Sequence, residues 1–255
     1  MKHRTLWAAV ALAGTAGYAA HRASLGKIRG PQAVKRLYDR LAPAYDVTAW
    51  IFRPLGASRL QERAVDLLDL HAGDTVVDLG CGTGINLPVL ADAVGEHGHV
   101  IGIDLSAGML EQARRRADRH NLSQVTLIQE DIRSVRLPPG TTAVLASGSL
   151  EMVPEYDVVI RGLAGQLSPH RGRLAVGGFR RPPAWPAWAV AFGRAATALF
   201  GVTRAYENIQ PWRSVRQHMD EIGFDTAAGG ALYLIVARAT SPSSGGDTEP
   251  VTVTP

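Results

Sequence analysis

The sequence predicts an α/β protein built on a doubly wound, mostly parallel sheet of seven strands, with N-terminal helices before the sheet and an apolar cap near its end. Two observations lead to this fold class. Short apolar runs alternate with amphipathic stretches through the middle of the chain, as in strand–helix–strand units with right-handed crossovers. These runs are hydrophobic at almost every position, as expected for strands that helices cover on both faces.

The elements are predicted in the following order. Helices within residues 31–70 precede the sheet. Five strands follow at 74–79, 99–105, 124–129, 142–146 and 173–177. Helices connect them at 85–94, 106–120 and 156–167. Two further runs, one around Phe224 and one at 232–237, predict a closing antiparallel pair of strands.

The helix at 106–120 has the clearest helical signals. Ser106 is a candidate N-cap, because its hydroxyl can accept a hydrogen bond from the first turn. Apolar residues repeat on one side of the helix, at Met109, Leu110, Ala113 and Ala117. The basic run at 114–119 is interpreted as its solvated face.

Composition excludes several classes of protein. Of the 255 residues, 46% are hydrophobic and 20% are charged, which excludes a disordered chain, a collagen-like repeat and a protein that crosses a membrane many times. The single cysteine, Cys81, excludes an internal disulfide framework and any metal site built from several thiolates. We therefore expect no metal, and a reducing, cytoplasmic location.

Positive charge is concentrated at the N-terminus. Residues 1–40 carry eight basic side chains and one acidic side chain, a net charge of +7, whereas the whole chain carries +4, so that the remaining residues sum to −3. A nucleic-acid-binding protein usually spreads basic residues over its folded face, so we expect no nucleic-acid partner. A basic terminus instead suits the anionic cytoplasmic face of a membrane.

Three regions are predicted along the chain. Residues 1–28 combine basic residues with an apolar run at 6–20 and are interpreted as a membrane anchor or interfacial helix, with a secretory signal and an Ala-rich helix without a role as alternatives. Residues 29–239 form the folded domain, with the cap at about 180–212. Residues 240–255 consist largely of Ser, Thr, Gly and Pro and predict a disordered tail.

The most informative motif is the loop at 80–84, in which every second residue is glycine. Such glycines permit a tight turn and let a ligand approach the backbone. Asp78 precedes the loop, and Asp104 ends the next predicted strand, where its carboxylate can accept hydrogen bonds from ribose hydroxyls. A dinucleotide-binding loop would place its third glycine one position later, at Ile85, so the spacing disfavours a nicotinamide cofactor.

The segments DLGCGTG at 78–84 and GIDLS at 102–106 resemble the first two motifs of class I S-adenosylmethionine-dependent methyltransferases, in particular the group related to quinone-biosynthesis and phospholipid N-methyltransferases. The resemblance covers about residues 37–237. It implies a Rossmann-like methyltransferase fold with S-adenosyl-L-methionine as cofactor. It also implies cofactor contacts from Asp78, Gly80, Cys81, Gly82, Thr83, Gly84, Asp104, Leu105, Met109, Asp131, Ile132 and Ser147.

Residues 37–46 are similar to the YDxxAxxYD entrance motif of the quinone enzymes. The resemblance implies that Tyr45 closes over the cofactor, and the alternative is an ordinary packing tyrosine. The chain departs from those enzymes in two places. Val47-Thr48 follows the motif where they carry Met-Asn, and residues 168–172 replace their Lys-Pro-Gly-Gly turn.

In methyl transfer the enzyme mainly aligns the nucleophile with the methyl group, because the reaction is an in-line displacement. A catalytic base is required only if the nucleophile loses a proton. Glu151, after the fourth strand, is the one ionisable residue well placed to meet a substrate, with a solvated loop carboxylate as the alternative. The same segment lacks the Asn/Asp-Pro-Pro-aromatic motif of the resembling adenine and glutamine N-methyltransferases. This absence argues against nucleic-acid bases as acceptors.

Aromatic residues in and around the cap predict a hydrophobic acceptor. The candidates for contact with it are Trp185, Trp188, Tyr206 and Trp212, and the alternative is packing against the core or a membrane surface. The sequence thus predicts methyl transfer to a lipid-like acceptor, either a quinone precursor or a phospholipid amine. A methyltransferase of a small aromatic or polyketide-like product, an NAD-dependent oxidoreductase and a non-catalytic cofactor-binding protein remain alternatives.

Overall fold

The computed structural model describes residues 30–46, 54–182, 185–186, 190 and 209–240. Two helices, α1 (Pro31–Leu41) and α2 (Ala57–Leu68), precede the sheet. Strands and helices then alternate as β1 (Thr75–Leu79), α3 (Leu87–Val94), β2 (His99–Asp104), α4 (Ala107–Arg119), β3 (Val125–Gln129), β4 (Thr141–Ser147), α5 (Tyr156–Leu167) and β5 (Arg173–Phe179). The last elements are α6 (Pro211–His218), β6 (Met219–Ala227) and β7 (Leu232–Ala239).

All seven strands lie in one sheet, in the order β3-β2-β1-β4-β5-β7-β6. Strands β1 to β5 run parallel, and β7 pairs antiparallel with both β5 and β6. The predicted fold class is confirmed, including the closing antiparallel pair. The strand order reverses between β2 and β4 on either side of β1, so the loops after β1 and β4 diverge and leave a crevice at the carboxyl edge of the sheet.

Both faces of the sheet are buried because successive strand residues point to opposite sides. On β1, Val77 and Leu79 face the layer formed with α5 and α6, whereas Val76 faces the layer formed with α2, α3 and α4. Strands covered in this way explain the continuous apolar runs in the sequence. The predicted N-cap is also present, since the Ser106 hydroxyl accepts a hydrogen bond from the Met109 amide at 3.1 Å.

Element ends differ slightly from the prediction. The helix predicted from residue 85 begins at Leu87, because Ile85 and Asn86 complete the turn that leaves the glycine loop and Pro88 occupies the first turn of α3. Strand β5 continues two residues further, to Phe179, since β7 pairs with it along that length. The predicted anchor at 1–28 lies outside the described residues, as does the predicted tail at 240–255 apart from Thr240. Within the described ranges, no helix is long and apolar enough to cross a membrane.

Candidate cofactor and acceptor site

The glycine loop after β1 forms the floor of the crevice. The amides of Gly80 and Cys81 both donate to the Ile103 carbonyl, at 2.7 and 2.9 Å, and so tie the loop to the end of β2. A Cβ on Gly84 would lie 2.5 Å from Leu87 Cδ1, whereas a Cβ on Gly82 would meet nothing within 4 Å. Gly84 therefore permits close packing of the helix, and Gly82 leaves open space above the loop.

Asp104 fixes the loop from the end of β2. One carboxylate oxygen accepts from the Gly82 amide at 2.9 Å, and the other accepts from the Ser106 amide at 2.8 Å. Burial raises the pKa of Asp104, while these two amides oppose the rise. The carboxylate also lines a cavity in the crevice, where its remaining lone pairs can accept from vicinal hydroxyls.

Most of the residues predicted to contact the cofactor surround two adjoining cavities. The first cavity is lined by Tyr45, Gly80, Gly82, Asp104, Leu105, Met109, Asp131, Ile132 and Ser147. The second is lined by Tyr45, Gly80, Cys81, Gly82, Thr83 and Ser147, together with Glu151. The structure thus brings together side chains and backbone from the ends of β1, β2 and β4 and the segment after β3, as expected for a parallel sheet with its ligand at the carboxyl edge.

Asp131 stands at one end of the first cavity, with Arg133 beside it. The Arg133 guanidinium donates to the Asp131 carboxylate, with Nε at 3.0 Å, and this hydrogen bond lowers the pKa of Asp131 despite partial burial. Asp131 is therefore a carboxylate at neutral pH and can only accept hydrogen bonds. It suits the exocyclic amino group of a purine.

The N-terminal segment covers the crevice from above. Tyr38 and Tyr45 line both cavities, and their ring centroids lie 6.1 Å apart. Burial raises the pKa of Tyr45 to about 12. The segment is fastened at one end by Asp39, which accepts from the Ser106 hydroxyl at 2.6 Å and the Gly108 amide at 3.1 Å.

The second fastening joins Asp46 to α4. Arg116 donates to Asp46 at 2.5 Å and to the Thr83 carbonyl at 2.6 Å, and the Thr83 hydroxyl donates to Asp46 at 2.6 Å. The interpretation of Arg116 as part of a solvated face is therefore wrong: its side chain is 14% exposed. Helical periodicity alone places Arg116 near the polar side of α4 and gives no sign of its distant partners.

Some predicted site residues lie away from both cavities. Asp78 is completely buried beneath the loop, where the Asn86 amide donates to it at 3.3 and 3.4 Å, and burial raises its pKa to about 7. Trp212 packs edge-on against Tyr233, with ring centroids 4.8 Å apart, and so contributes to the core. Trp185 is partly buried beside Gly229. Trp188 and Tyr206 lie outside the described residues.

Glu151 lies in a short 3-10 turn after β4 and is 3% exposed, so the alternative of a solvated loop carboxylate is wrong. Its Oε1 accepts from the Tyr233 hydroxyl at 3.1 Å. Its Oε2 is buried and has no hydrogen-bond partner among the described residues. Burial raises the pKa of Glu151 to about 7. The second cavity therefore contains a carboxyl group that can either hold or accept a proton near neutral pH.

Comparison with known proteins agrees with this geometry. Residues 76–170 match the family described as "Methyltransferase domain". The chain is 33% identical over 156 residues to nocamycin O-methyltransferase of Saccharothrix syringae, a match that covers 60% of this chain and 54% of that protein. It is 34% identical over 151 residues to 2-phytyl-1,4-naphtoquinone methyltransferase of Thermosynechococcus vestitus, covering 58% of this chain and 65% of that protein.

The matched segment therefore spans between about half and two thirds of the length of these curated relatives. Among solved structures, the [4+2]-cyclase SpnF superposes with a TM-score of 0.65 at 19% identity, covering 86% of this chain and 99% of that protein. This likeness concerns the fold alone, and it illustrates that one fold carries more than one chemistry.

The residues around the first cavity fit S-adenosylmethionine. The cofactor carries ribose hydroxyls, a purine amino group and a sulfonium. In the cavity, the Asp104 carboxylate can accept from the ribose hydroxyls and the Asp131 carboxylate from the purine amino group. There is open space at Gly82 and Gly148, where an added Cβ would meet nothing within 4 Å. Its remaining lining includes the apolar side chains of Leu105 and Met109, which can cover the faces of the purine. Residues 76–170 are thus a methyltransferase domain by sequence, and the motifs, the sheet order and this site match those expected of a class I S-adenosylmethionine-dependent methyltransferase.

Proposed function

We propose that the protein transfers the methyl group of S-adenosylmethionine to a small hydrophobic, lipid-like acceptor. The observation that carries the proposal is the continuity of the two cavities. The first holds the carboxylates suited to the nucleoside, the second is mainly apolar, and both are lined by Gly80, Gly82, Ser147 and Gly148. A sulfonium placed at this shared boundary would point its methyl group at an acceptor in the second cavity.

The cofactor supplies an electrophilic methyl group, and the chain's own residues hold the reactants in line. Asp104 would accept from the ribose hydroxyls, and Asp131 with Ile132 would bind the adenine edge. Asp78 would act through the field of its buried charge on the methionine ammonium rather than by contact. Tyr38 and Tyr45 cover the junction and exclude water, which strengthens electrostatic interactions inside the site.

The lining of the second cavity supports an apolar acceptor. Leu145, Phe179, Leu232 and Leu234 contribute to its wall. A quinone precursor methylated on carbon, or a phospholipid amine methylated on nitrogen, would fit this character. A small polyketide-like or aromatic product is the alternative acceptor. Its support is the similarity to the relatives named for nocamycin and for a phytyl naphthoquinone.

We further propose that residues 1–28 hold the enzyme at the cytoplasmic face of a membrane, close to a lipid-like acceptor. The support is the net charge of +4 that residues 1–28 carry, with four basic side chains and no acidic one, beside the apolar run at 6–20. Full-length protein should sediment with anionic phosphatidylglycerol vesicles at low salt and less at high salt, and a variant lacking residues 1–28 should not. Equal sedimentation of both proteins would contradict the attachment.

The proposed function is tested with methyl-labelled S-adenosylmethionine and a total cell lysate with its membranes. After organic extraction, we expect methyl label in the organic phase for wild type and for Asp92→Asn. Asp104→Asn should place little label in that phase. Asp92 is a matched control because it is an exposed aspartate on α3. Label only in the aqueous phase would contradict a lipid-like acceptor. Binding of S-adenosylhomocysteine without any transfer would indicate a cofactor-binding protein, and competitive binding of NADH an oxidoreductase.

A further inference from the structure

The carboxylate of Glu151 is the least satisfied buried polar side chain in the part of the chain that the structure describes. Its Oε2 has no hydrogen-bond partner there, and no described Lys, Arg or His forms an ion pair with it. An isolated buried carboxylate destabilises a folded protein. Such a group in a native structure calls for a functional explanation, and Glu151 lines the apolar second cavity.

The surrounding strands make space for this carboxylate. Gly178 on β5 faces Tyr233 on β7 across the antiparallel pair. A Cβ on Gly178 would lie 1.3 Å from Glu151 Oε1, so any other residue there would displace the carboxylate. Tyr233 is held in turn by Trp212 and by Phe224, whose ring centroid lies 6.4 Å from that of Tyr233. The carboxylate is therefore held with Oε1 on Tyr233, while Oε2 is buried without a hydrogen-bond partner among the described residues.

The groups that face Glu151 are hydroxyls and backbone amides rather than cations, and hydrogen bonds from its own amide and that of Phe179 oppose the rise in its pKa. Tyr233 reaches it from β7, with Tyr156 of α5 behind, and the charge of Glu151 contributes to the raised pKa of Tyr45 in the N-terminal cover. Arg180 and Arg216 lie over the ring of Phe224 instead. None of the described groups that face Glu151 carries a positive charge, and a molecule bound in the second cavity can supply a hydrogen-bond donor to Oε2.

We propose that Glu151 is the catalytic base of the reaction and that the acceptor bears a phenolic or enolic hydroxyl, whose proton Oε2 receives. This inference rests on the proposed function and identifies its acceptor class. The acceptor oxygen bonds to the methyl carbon while the carbon–sulfur bond breaks and leaves its electron pair on sulfur. The O–H bond breaks at the same time, and its proton moves to Oε2 of Glu151. The same proton leaves if a ring carbon conjugated to that oxygen takes the methyl group instead.

A hydroxyl fits this site better than an ammonium group. A neutral O–H donor enters the apolar cavity without losing the hydration of a full charge, whereas an ammonium facing the carboxylate requires two charges to be desolvated. Burial that raises the pKa of Glu151 to about 7 also makes it a stronger base than an exposed glutamate, near the pH at which proton transfer is most efficient.

The acceptor class is tested by binding of three probes of similar size: 2-naphthol, 2-methoxynaphthalene and 2-naphthylmethylammonium. Binding is measured by calorimetry with and without S-adenosylhomocysteine, for wild type, Glu151→Leu and Tyr233→Phe. Wild type should bind 2-naphthol about tenfold more tightly than the methyl ether, because a hydrogen bond to a charged group is lost in the ether. Glu151→Leu should lose this preference, and Tyr233→Phe should retain it. Equal affinity of naphthol and ether for wild type, or tightest binding of the ammonium, would overturn the proposal.

Two further readouts separate a catalytic from a structural role. Glu151→Gln should reduce kcat for methyl transfer to the acceptor in the lysate by about 100-fold. The KM for S-adenosylmethionine should stay unchanged. Glu151→Leu should melt no lower than wild type at pH 8, because an unpaired buried charge has been removed; a markedly lower Tm would assign Glu151 to the fold instead. Failure of wild type to bind S-adenosylhomocysteine would contradict the proposed function. In that case, binding of the three probes in the absence of S-adenosylhomocysteine would still decide the role of Glu151.

Discussion

Arg116 of α4 and Asp46 of the N-terminal segment are joined across 70 residues by an ion pair at 2.5 Å, and Arg116 also donates to the carbonyl of Thr83 in the glycine loop. One guanidinium thus connects the segment that covers the site to the loop that forms its floor. Because the geometry of the cover depends on this contact, the affinity for cofactor should depend on a residue that lines neither of the two cavities.

Arg116→Ala should weaken binding of S-adenosylhomocysteine about fivefold, since the pair is partly exposed and such pairs contribute modestly. Calorimetry at low and high salt checks this, with a smaller difference expected at high salt because exposed charges are screened. Arg114→Ala is the matched control, because Arg114 pairs with Glu111 on the exposed face of the same helix. An equal effect of both substitutions would show that the general charge of α4 matters rather than the fastening.

Asp104→Asn should weaken binding of S-adenosylhomocysteine at least 100-fold. The substitution keeps the shape of the side chain, but an amide can accept at only one atom, so the hydrogen bonds to Gly82 and Ser106 and those to ribose compete for it. Titration calorimetry measures the loss, and Asp92→Asn should bind as wild type does. Nearly unchanged affinity of Asp104→Asn would remove Asp104 from the cofactor site.

Two glycines of one loop should respond differently to alanine. Gly84→Ala should lower the free energy of unfolding by about 2–4 kcal/mol, because its φ is +74° and the new Cβ would lie 2.5 Å from Leu87 Cδ1 and 3.0 Å from Ala113 Cβ. Gly82→Ala should lower the free energy of unfolding by about 1–2 kcal/mol, because the only cost is the strain of a positive φ.

Cofactor affinity should separate the same pair of variants. Gly82→Ala places a methyl group in the open space of the site and should weaken S-adenosylhomocysteine binding more than tenfold, despite its smaller effect on stability. Urea unfolding and calorimetry provide the two numbers. If one of the two variants lost more stability and also more affinity than the other, the separate roles of the two glycines would be contradicted.

Stability should fall as pH rises from about 4 to about 7. Burial raises the pKa of Asp78 from 3.8 to about 7, so this carboxyl takes up a proton on folding, and deprotonation above its unfolded pKa disfavours the native state. Asp78→Asn removes this group with little change of shape. The variant should therefore melt several degrees higher than wild type at pH 8 and nearly equally at pH 4. A difference in Tm that is independent of pH would contradict the buried-carboxyl explanation.

The sequence alone predicted the sheet, and it placed most of the proposed cofactor-binding residues at one edge of that sheet. Short continuous apolar runs are typical of strands buried on both faces, and in a parallel sheet all of their carboxyl ends meet at one edge. A glycine loop after β1 and an acid at the end of β2 therefore had to lie together. This is why residues as distant as Gly82 and Asp104 could be assigned to one site.

Side-chain environments depended on contacts far apart in the chain, and periodicity carries no information about them. The sequence could not show that Trp212 supports Tyr233 in the core, that Arg116 turns inward to Asp46, or that the missing side chain of Gly178 leaves a place for the Glu151 carboxylate. Local pattern determined which residues form strands, helices and the glycine loop. Only the packing of β4, β5 and β7 decided that Glu151 is buried, because burial and the resulting proton affinity are properties of the assembled neighbours rather than of the residue itself.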